Sequence, residues 1–112
     1  MYKLWHEYHE RLSKTQKYSL GNRIDEIFIE IIEMISSAGF SVKSDKIPYI
    51  KLAIRKLDTV KILIMVLWET KSIDNKKYIN ISEQLVEIGR NLGGWYSQII
   101  KQNSPDTRSG EK

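Results

Sequence analysis

A helix that carries three glycines most constrains what this chain can fold into. It runs from Ser82 to Trp95 and holds Gly89, Gly93 and Gly94 among residues with a helical repeat. Each glycine inside a helix costs roughly 1 kcal/mol against alanine, so a compensating interaction is expected. On a helical wheel Ser82, Gly89 and Gly93 lie together beside an apolar stripe. The pattern predicts a groove at Gly89 and Gly93 where a neighbouring backbone approaches closely.

Helical spacing of apolar residues continues through the rest of the chain. We expect helices over about 1–12, 18–38, 48–70 and 74–101. The short connections between them predict an all-α, up-down-up-down four-helix bundle over residues 1–102. Residues 103–112 contain Pro105 and Gly110 but no apolar side chain, which predicts a disordered tail.

Particular residues mark the predicted helix ends. The polar stretch 13–17 should lead out of the first helix, and Gly39 is a natural stop for the second. Pro48 suits the first turn of the third helix and would break its interior. Either Ser72 or Asp74 should cap the fourth helix.

The third helix carries apolar residues on a side that should face water. Lys51, Arg55 and Asp58 form its outer polar stripe in the first half. Further along that stripe the chain places Ile62, Met65 and Val66. A helix that is apolar all round is buried all round, and four helices cannot cover both sides of one member. We therefore predict an interface with another chain at these three residues, the alternative being that the first helix folds over them.

Net positive charge is concentrated in one segment. Residues 41–61 hold six basic and two acidic side chains, a net charge of +4, which equals that of the whole chain. Such a basic strip, with Tyr49 at its start, is the pattern expected for contact with a phosphate backbone, although a merely solvated basic face has the same composition. The candidate nucleic-acid-binding residues are Lys43, Lys46, Lys51, Arg55, Lys56 and Lys61.

Lys61 differs from the other basic residues because it lies inside an apolar stripe. An unpaired buried ammonium is costly, so its head should reach water, face a solvated channel, or pair with Asp58 or a glutamate of the second helix.

Catalytic and metal-binding patterns are weak. His6 and His9 share a helix face, but two ligands without a third make a poor metal site, and His9 is expected to pack beside Trp5. The chain has no cysteine, and Gly93-Gly94 lacks the residues of a phosphate loop. We therefore expect a non-enzymatic protein without cofactor or metal. Because the chain has no long apolar run, we also expect no membrane span and a cytoplasmic location.

Four short blocks, at residues 17–23, 57–61, 73–78 and 87–95, resemble in content and order those of the accessory variability determinant (Avd) proteins of diversity-generating retroelements. Residues 87–95, Glu-Ile-Gly-Arg-Asn-Leu-Gly-Gly-Trp, are similar to the family's C-terminal signature. Residues 17–23 resemble the start of its second helix. Leu57-Asp58 with Lys61, and Ile73-Asp74 with Tyr78, resemble its third helix and the turn that follows. The chain departs from the family in having Lys61 where arginine is common and Asn91 before Leu-Gly-Gly.

This resemblance implies an assembly and partners. Avd proteins form homopentameric barrels, so five chains are expected here. The implied function is an accessory role in which the pentamer binds the retroelement's reverse transcriptase and template RNA during mutagenic reverse transcription. The alternative is a stand-alone bundle of the kind encoded in ribosomal-RNA intervening sequences, with a structural role or weak nucleic-acid binding.

Overall fold

The computed structural model describes residues 1–102, which form four main helices. They are α1 (Tyr2–Glu10), α2 (Asn22–Phe40), α3 (Lys46–Glu69) and α4 (Asn75–Gln102). The predicted all-α architecture is confirmed for this part of the chain. The predicted tail, residues 103–112, lies outside the described residues.

Consecutive helices run antiparallel. Trp5 and His9 of α1 contact Asp25 and Asn22 of α2, respectively, so the two sequences run in opposite directions. Likewise Lys56 of α3 pairs with Glu30 of α2, whereas Lys46 reaches the other end of α2. At the next pair, Trp68 bonds Asn75 beside the α3–α4 connection. The helices therefore alternate in direction, with α3 packed between α2 and α4, and α1 packed on α2 and α4.

The core is formed by the inward stripes of all four helices. Trp5, Ile24, Ile64, Leu67 and Ile81 are among its fully buried side chains. Because α1 has only nine residues, it covers one end of the longer helices. A second, smaller cluster at the other end is built from Ala38, Ile50 and Ile99.

A carboxylate on α2 holds α1 in place. The hydroxyl of Tyr2 donates to Oδ1 of Asp25 at 2.7 Å, and the indole Nε1 of Trp5 donates to the same oxygen at 3.2 Å. The hydrogen bond to Asp25, together with burial and the carboxylate charge, raises the pKa of Tyr2 to about 12. Neutral tyrosine is thus the form that fits this site.

The connection between α1 and α2 is only partly helical. Residues 11–13 lead out of α1, but helical structure resumes at Lys14, within the predicted polar exit 13–17. Ser13 accepts a hydrogen bond from the backbone of Gln16 and starts a one-turn helix, Lys14–Gln16. A π-helical turn, Lys17–Gly21, then leads directly into α2. The serine cap supplies the partner that lets this polar stretch remain helical.

The other predicted helix ends have different outcomes. Gly39 is not the stop of α2, which continues to Phe40 and ends as Ser41 becomes extended. Pro48 lies in the first turn of α3, as predicted. Asp74, one of the two proposed caps, accepts from the backbone N–H of Lys77 at 2.8 Å and begins α4.

Candidate nucleic-acid interface

Three of the six candidate basic residues are free to face solvent. Lys51 and Arg55 are exposed on the outer side of α3, one turn apart. Lys43 is exposed in the short 3₁₀ turn Lys43–Asp45 that joins α2 to α3. Lys43, Lys51 and Arg55 form the surface that we call the basic strip.

Two other candidates are engaged within the chain. The Nζ of Lys46 donates to the carbonyl oxygen of Ala38 at 2.7 Å and lies 6.0 Å from the ring centre of Trp95. This lysine therefore caps the C-terminal end of α2. The Nζ of Lys56 donates to Oε1 of Glu30 at 3.0 Å, a half-buried pair between α2 and α3. Both side chains have structural partners that phosphate would have to displace.

Lys61 of α3 lies close to Gly89 of α4. Its Nζ is 3.8 Å from Oδ1 of Asp58, so the pairing with Asp58 that the sequence left open is present. A Cβ on Gly89 would come within 3.3 Å of that Nζ and 3.4 Å of Cδ2 of Leu57. Gly89 thus faces α3 closely, and the absence of its side chain leaves space for the lysine.

Gly93 does not share this close contact. No atom lies within 4 Å of where a Cβ would stand on Gly93 or Gly94. The prediction that Gly93 lines a tight groove within the bundle is therefore wrong. The helical wheel gave the right side of α4, but α3 approaches that side at Gly89 only.

The predicted interface residues lie on the outside of α3. Ile62 is 57% exposed and Met65 is 38% exposed, while Val66 is half-buried. Because α1 packs on α2 and α4, it does not cover Ile62, and the alternative of a folded-over first helix is wrong. An apolar surface therefore remains on this side of the chain.

A second exposed stripe on α4, which the sequence reasoning missed, continues that surface. Ile79, Val86 and Ile100 are 40–55% exposed and recur with Gly93 at a spacing of seven residues. Val86 and Gly93 adjoin Gly89 on the helix surface, at i−3 and i+4, so they lie beside α3. The seven-residue spacing of these positions is visible in the sequence and could have predicted the stripe. We call Ile62, Met65, Ile79, Val86 and Gly93 the apolar face.

The two histidines of the chain have different surroundings. His9 is buried, its Nε2 lies 2.9 Å from Oδ1 of Asn22, and its ring centre is 5.5 Å from that of Trp5. His6 is exposed beside Glu10. Among residues 1–102, no group of three or more His, Asp or Glu side chains is placed to hold a metal ion.

The geometry defines an all-α, four-helix protein with a basic strip and an apolar face on its outer surface. None of the helices in the described part is both long and apolar enough to span a bilayer. No protein-family model, curated protein or solved structure matches this chain.

Proposed function

We propose that this protein is a non-enzymatic accessory subunit of a diversity-generating retroelement. In this role it assembles with copies of itself and binds the reverse transcriptase and template RNA, or the cDNA made from it, in the cytoplasm. The observation that carries the proposal is the combination on α3 of exposed Lys51 and Arg55 with exposed Ile62 and Met65. One helix thus offers a phosphate-binding segment and an adjoining apolar contact surface.

The residues that resemble the Avd family occupy places that matter in the fold, which supports the proposal. Gly21, from the second block, is buried where α1 meets α2. Lys61 and Gly89, from the third and first blocks, contact each other between α3 and α4. Tyr78, from the last block, stacks on Trp68 with ring centres 4.5 Å apart.

Assembly would explain the apolar face. Exposed apolar residues at heptad spacing on α4 are typical of a helix that packs against a partner helix. Gly93, which has open space around it, would let the partner's backbone approach closely. Five copies, the number that the resemblance implies, would repeat the basic strip around a ring and add its charges into one field.

Charge reversal tests the nucleic-acid contact. The double variant Lys51→Glu/Arg55→Glu should bind retroelement RNA more weakly across sequences, because phosphate contacts do not read bases. The slope of log affinity against log salt should fall by about 1.4 per chain, since each of the two phosphate contacts with a single strand contributes about 0.7. Affinity measured by fluorescence anisotropy over a salt series gives both quantities.

A matched control carries the same charge change elsewhere. Lys71→Glu/Lys76→Glu alters two exposed lysines near the α3–α4 connection and should leave the salt slope unchanged. If the control weakens binding and the Lys51/Arg55 variant does not, the RNA contact lies at the other end of the bundle. A parent protein that binds neither RNA nor reverse transcriptase would favour the stand-alone bundle of the intervening-sequence type.

A further inference from the structure

The end of the bundle where α2 meets α3 presents an aromatic ring to solvent. Phe40, the last residue of α2, is 94% exposed, and Val42 beside it is 72% exposed. Phe40 follows buried Ile31 by nine residues, which is half a rotation further round the helix. The helix geometry therefore points the ring directly away from the core.

The turn that carries Phe40 is well ordered by hydrogen bonds. The hydroxyl of Ser41 donates to the carbonyl of Ser37 at 2.7 Å, and the Nζ of Lys46 donates to that of Ala38 at 2.7 Å. Within the following turn the backbone N–H of Asp45 donates to the carbonyl of Val42 at 2.8 Å. A ring held on such a turn can bind a ligand without a large ordering cost.

Exposed cations are present at the same end of the bundle as this ring. Lys43 follows Phe40 by three residues, and Lys51 and Arg55 continue the positive charge along the outer side of α3. Tyr49, 37% exposed, precedes Lys56 by seven residues and so shares its α2-facing flank of α3. The end of the bundle therefore carries the exposed ring of Phe40 and three exposed cations, with Tyr49 on a different flank of α3.

We propose that Phe40 is a base-stacking platform, so that the basic strip binds single-stranded nucleic acid in preference to duplex. This inference rests on the proposed function, because it specifies which form of nucleic acid the strip takes. Aromatic rings stack on bases of any sequence, while cations along the strand neutralise its phosphates. In a duplex the bases are paired and stacked on each other, so Phe40 would have no free base to meet.

Charge and shape favour a nucleic-acid strand over other occupants. A second copy docking through the same end would bring Lys43, Lys51 and Arg55 against identical cations, which is unfavourable. A flat lipid surface would touch the tip alone. Lys43 instead follows Phe40 by three residues, and Lys51 and Arg55 lie one turn apart along α3, a spacing that suits successive phosphates.

The test separates bases from phosphates. It uses three probes of about 20 nucleotides, long enough for a stacking groove: single-stranded deoxythymidine, an abasic strand with the same phosphates, and a duplex. The full-length protein should bind the thymidine strand roughly 5- to 100-fold more tightly than the abasic strand, as expected for one stacked base. It should also prefer the thymidine strand to the duplex.

Substitutions at position 40 isolate the ring. Phe40→Leu keeps an apolar side chain but has no aromatic face, so the preference for bases over the abasic strand should disappear with the salt slope unchanged. Phe40→Trp should retain that preference. Because Phe40 is exposed, both variants should unfold at the temperature of the parent. Tyr18→Leu, at an exposed aromatic of the α1–α2 segment, should bind like the parent.

Several results would overturn the inference. Equal affinity for thymidine and abasic strands, or an undiminished base preference in Phe40→Leu, would remove the stacking role. If Lys51→Glu/Arg55→Glu still weakened binding in that case, the proposed function would stand without it. Absence of binding to all three probes would overturn the inference, and absence of binding to retroelement RNA and reverse transcriptase as well would overturn the proposed function. Binding to phosphatidylserine vesicles that is lost in Phe40→Leu, with strand binding unchanged, would assign the ring to a membrane surface instead.

Discussion

At the scale of single residues, the chain uses its helical glycines in different ways. Gly21 is buried in the π-helical turn, and a Cβ there would stand 2.8 Å from Cδ1 of Leu12 and 3.1 Å from the backbone oxygen of Gln16. Neither neighbour can move easily, because Leu12 is buried and the oxygen belongs to the helix backbone. Gly93, by contrast, has free space around it in the single chain.

These environments predict opposite effects for the same substitution. Gly21→Ala should lower the free energy of unfolding by about 1–3 kcal/mol, the usual cost of overpacking a filled site. In single chains, obtained with the Ile62→Glu background, Gly93→Ala should raise it by about 1 kcal/mol, because alanine is the better helix former. Urea denaturation followed by circular dichroism measures both. If Gly21→Ala were as stable as Gly93→Ala, the close contacts around Gly21 would not hold in solution.

A helical wheel could not distinguish these glycines. The repeat of apolar residues placed Gly89 and Gly93 on one side of α4. In the structure α3 approaches that side at Gly89, one turn before Gly93. Which glycine a neighbour meets depends on where α3 crosses that side, and crossing points follow from side-chain packing between helices. The importance of Gly21 depends in the same way on the positions of Leu12 and Gln16, which approach it only after the α1–α2 connection has folded.

At the scale of helices, α1 is the element that depends most on one polar contact. Its nine residues place Trp5 in the core, and Asp25 accepts hydrogen bonds from both Tyr2 and Trp5. Ionised Tyr2 would lose its donor and oppose the Asp25 carboxylate. The attachment of α1 should therefore weaken in strongly alkaline solution.

The raised pKa of Tyr2 fixes the direction and range of this effect. Folding raises the pKa from its ordinary value of 10.0 to about 12, so the stabilisation is complete below pH 10 and is lost as the pH rises through 12. Tyr2→Phe should be less stable than the parent below pH 10, and the difference should shrink between pH 10 and pH 12. Urea denaturation of both proteins over this range measures the difference.

A conservative change at Asp25 tests what raises the pKa of Tyr2. Asp25→Asn keeps an acceptor for Trp5 but removes the charge, so the pKa of Tyr2 should move back towards 10.0. Ultraviolet absorbance of tyrosinate, compared with Tyr2→Phe to isolate this residue, follows the titration. An unchanged titration in Asp25→Asn would mean that the hydrogen bond and burial, and not the charge of Asp25, hold the proton.

Helix-level predictions from the sequence succeeded where local chemistry decides the outcome. The four helices, the Asp74 cap and the first-turn position of Pro48 all follow from short-range patterns. The helical turn Lys14–Gln16 was not predictable from polarity, because it depends on the Ser13 cap and leads into a π turn. In the basic strip, composition found the cations but could not foresee that Lys46 and Lys56 would be engaged by Ala38 and Glu30.

At the scale of the whole molecule, the apolar face is the surface that a single chain leaves uncovered. It combines Ile62 and Met65 of α3 with Ile79, Val86 and Gly93 of α4. Exposed apolar area of this kind, adjoining polar residues, marks sites of association between protein chains.

Light scattering tests whether this face joins copies of the protein. The parent should form a closed assembly at micromolar concentration, with five chains as the number that the resemblance implies. Ile62→Glu should reduce the mass to that of a single chain while helix content is kept, because Ile62 is 57% exposed in that chain. Ile29→Glu is the matched control, since Ile29 is 44% exposed on α2, and it should leave the assembly intact. A parent of monomeric mass would contradict the prediction.

The antiparallel order of the helices also bears on how quickly the chain can fold. The main packing partners of α3 are α2 and α4, its neighbours in the sequence. These contacts therefore need only short loops to close. Helical topologies with such local contacts fold on the microsecond to millisecond timescale. The contact between α1 and α4 joins distant segments, and we expect it to form after the α2–α3–α4 core. Of the four helices, α1 is synthesised before the other three and would then be the last to complete its packing.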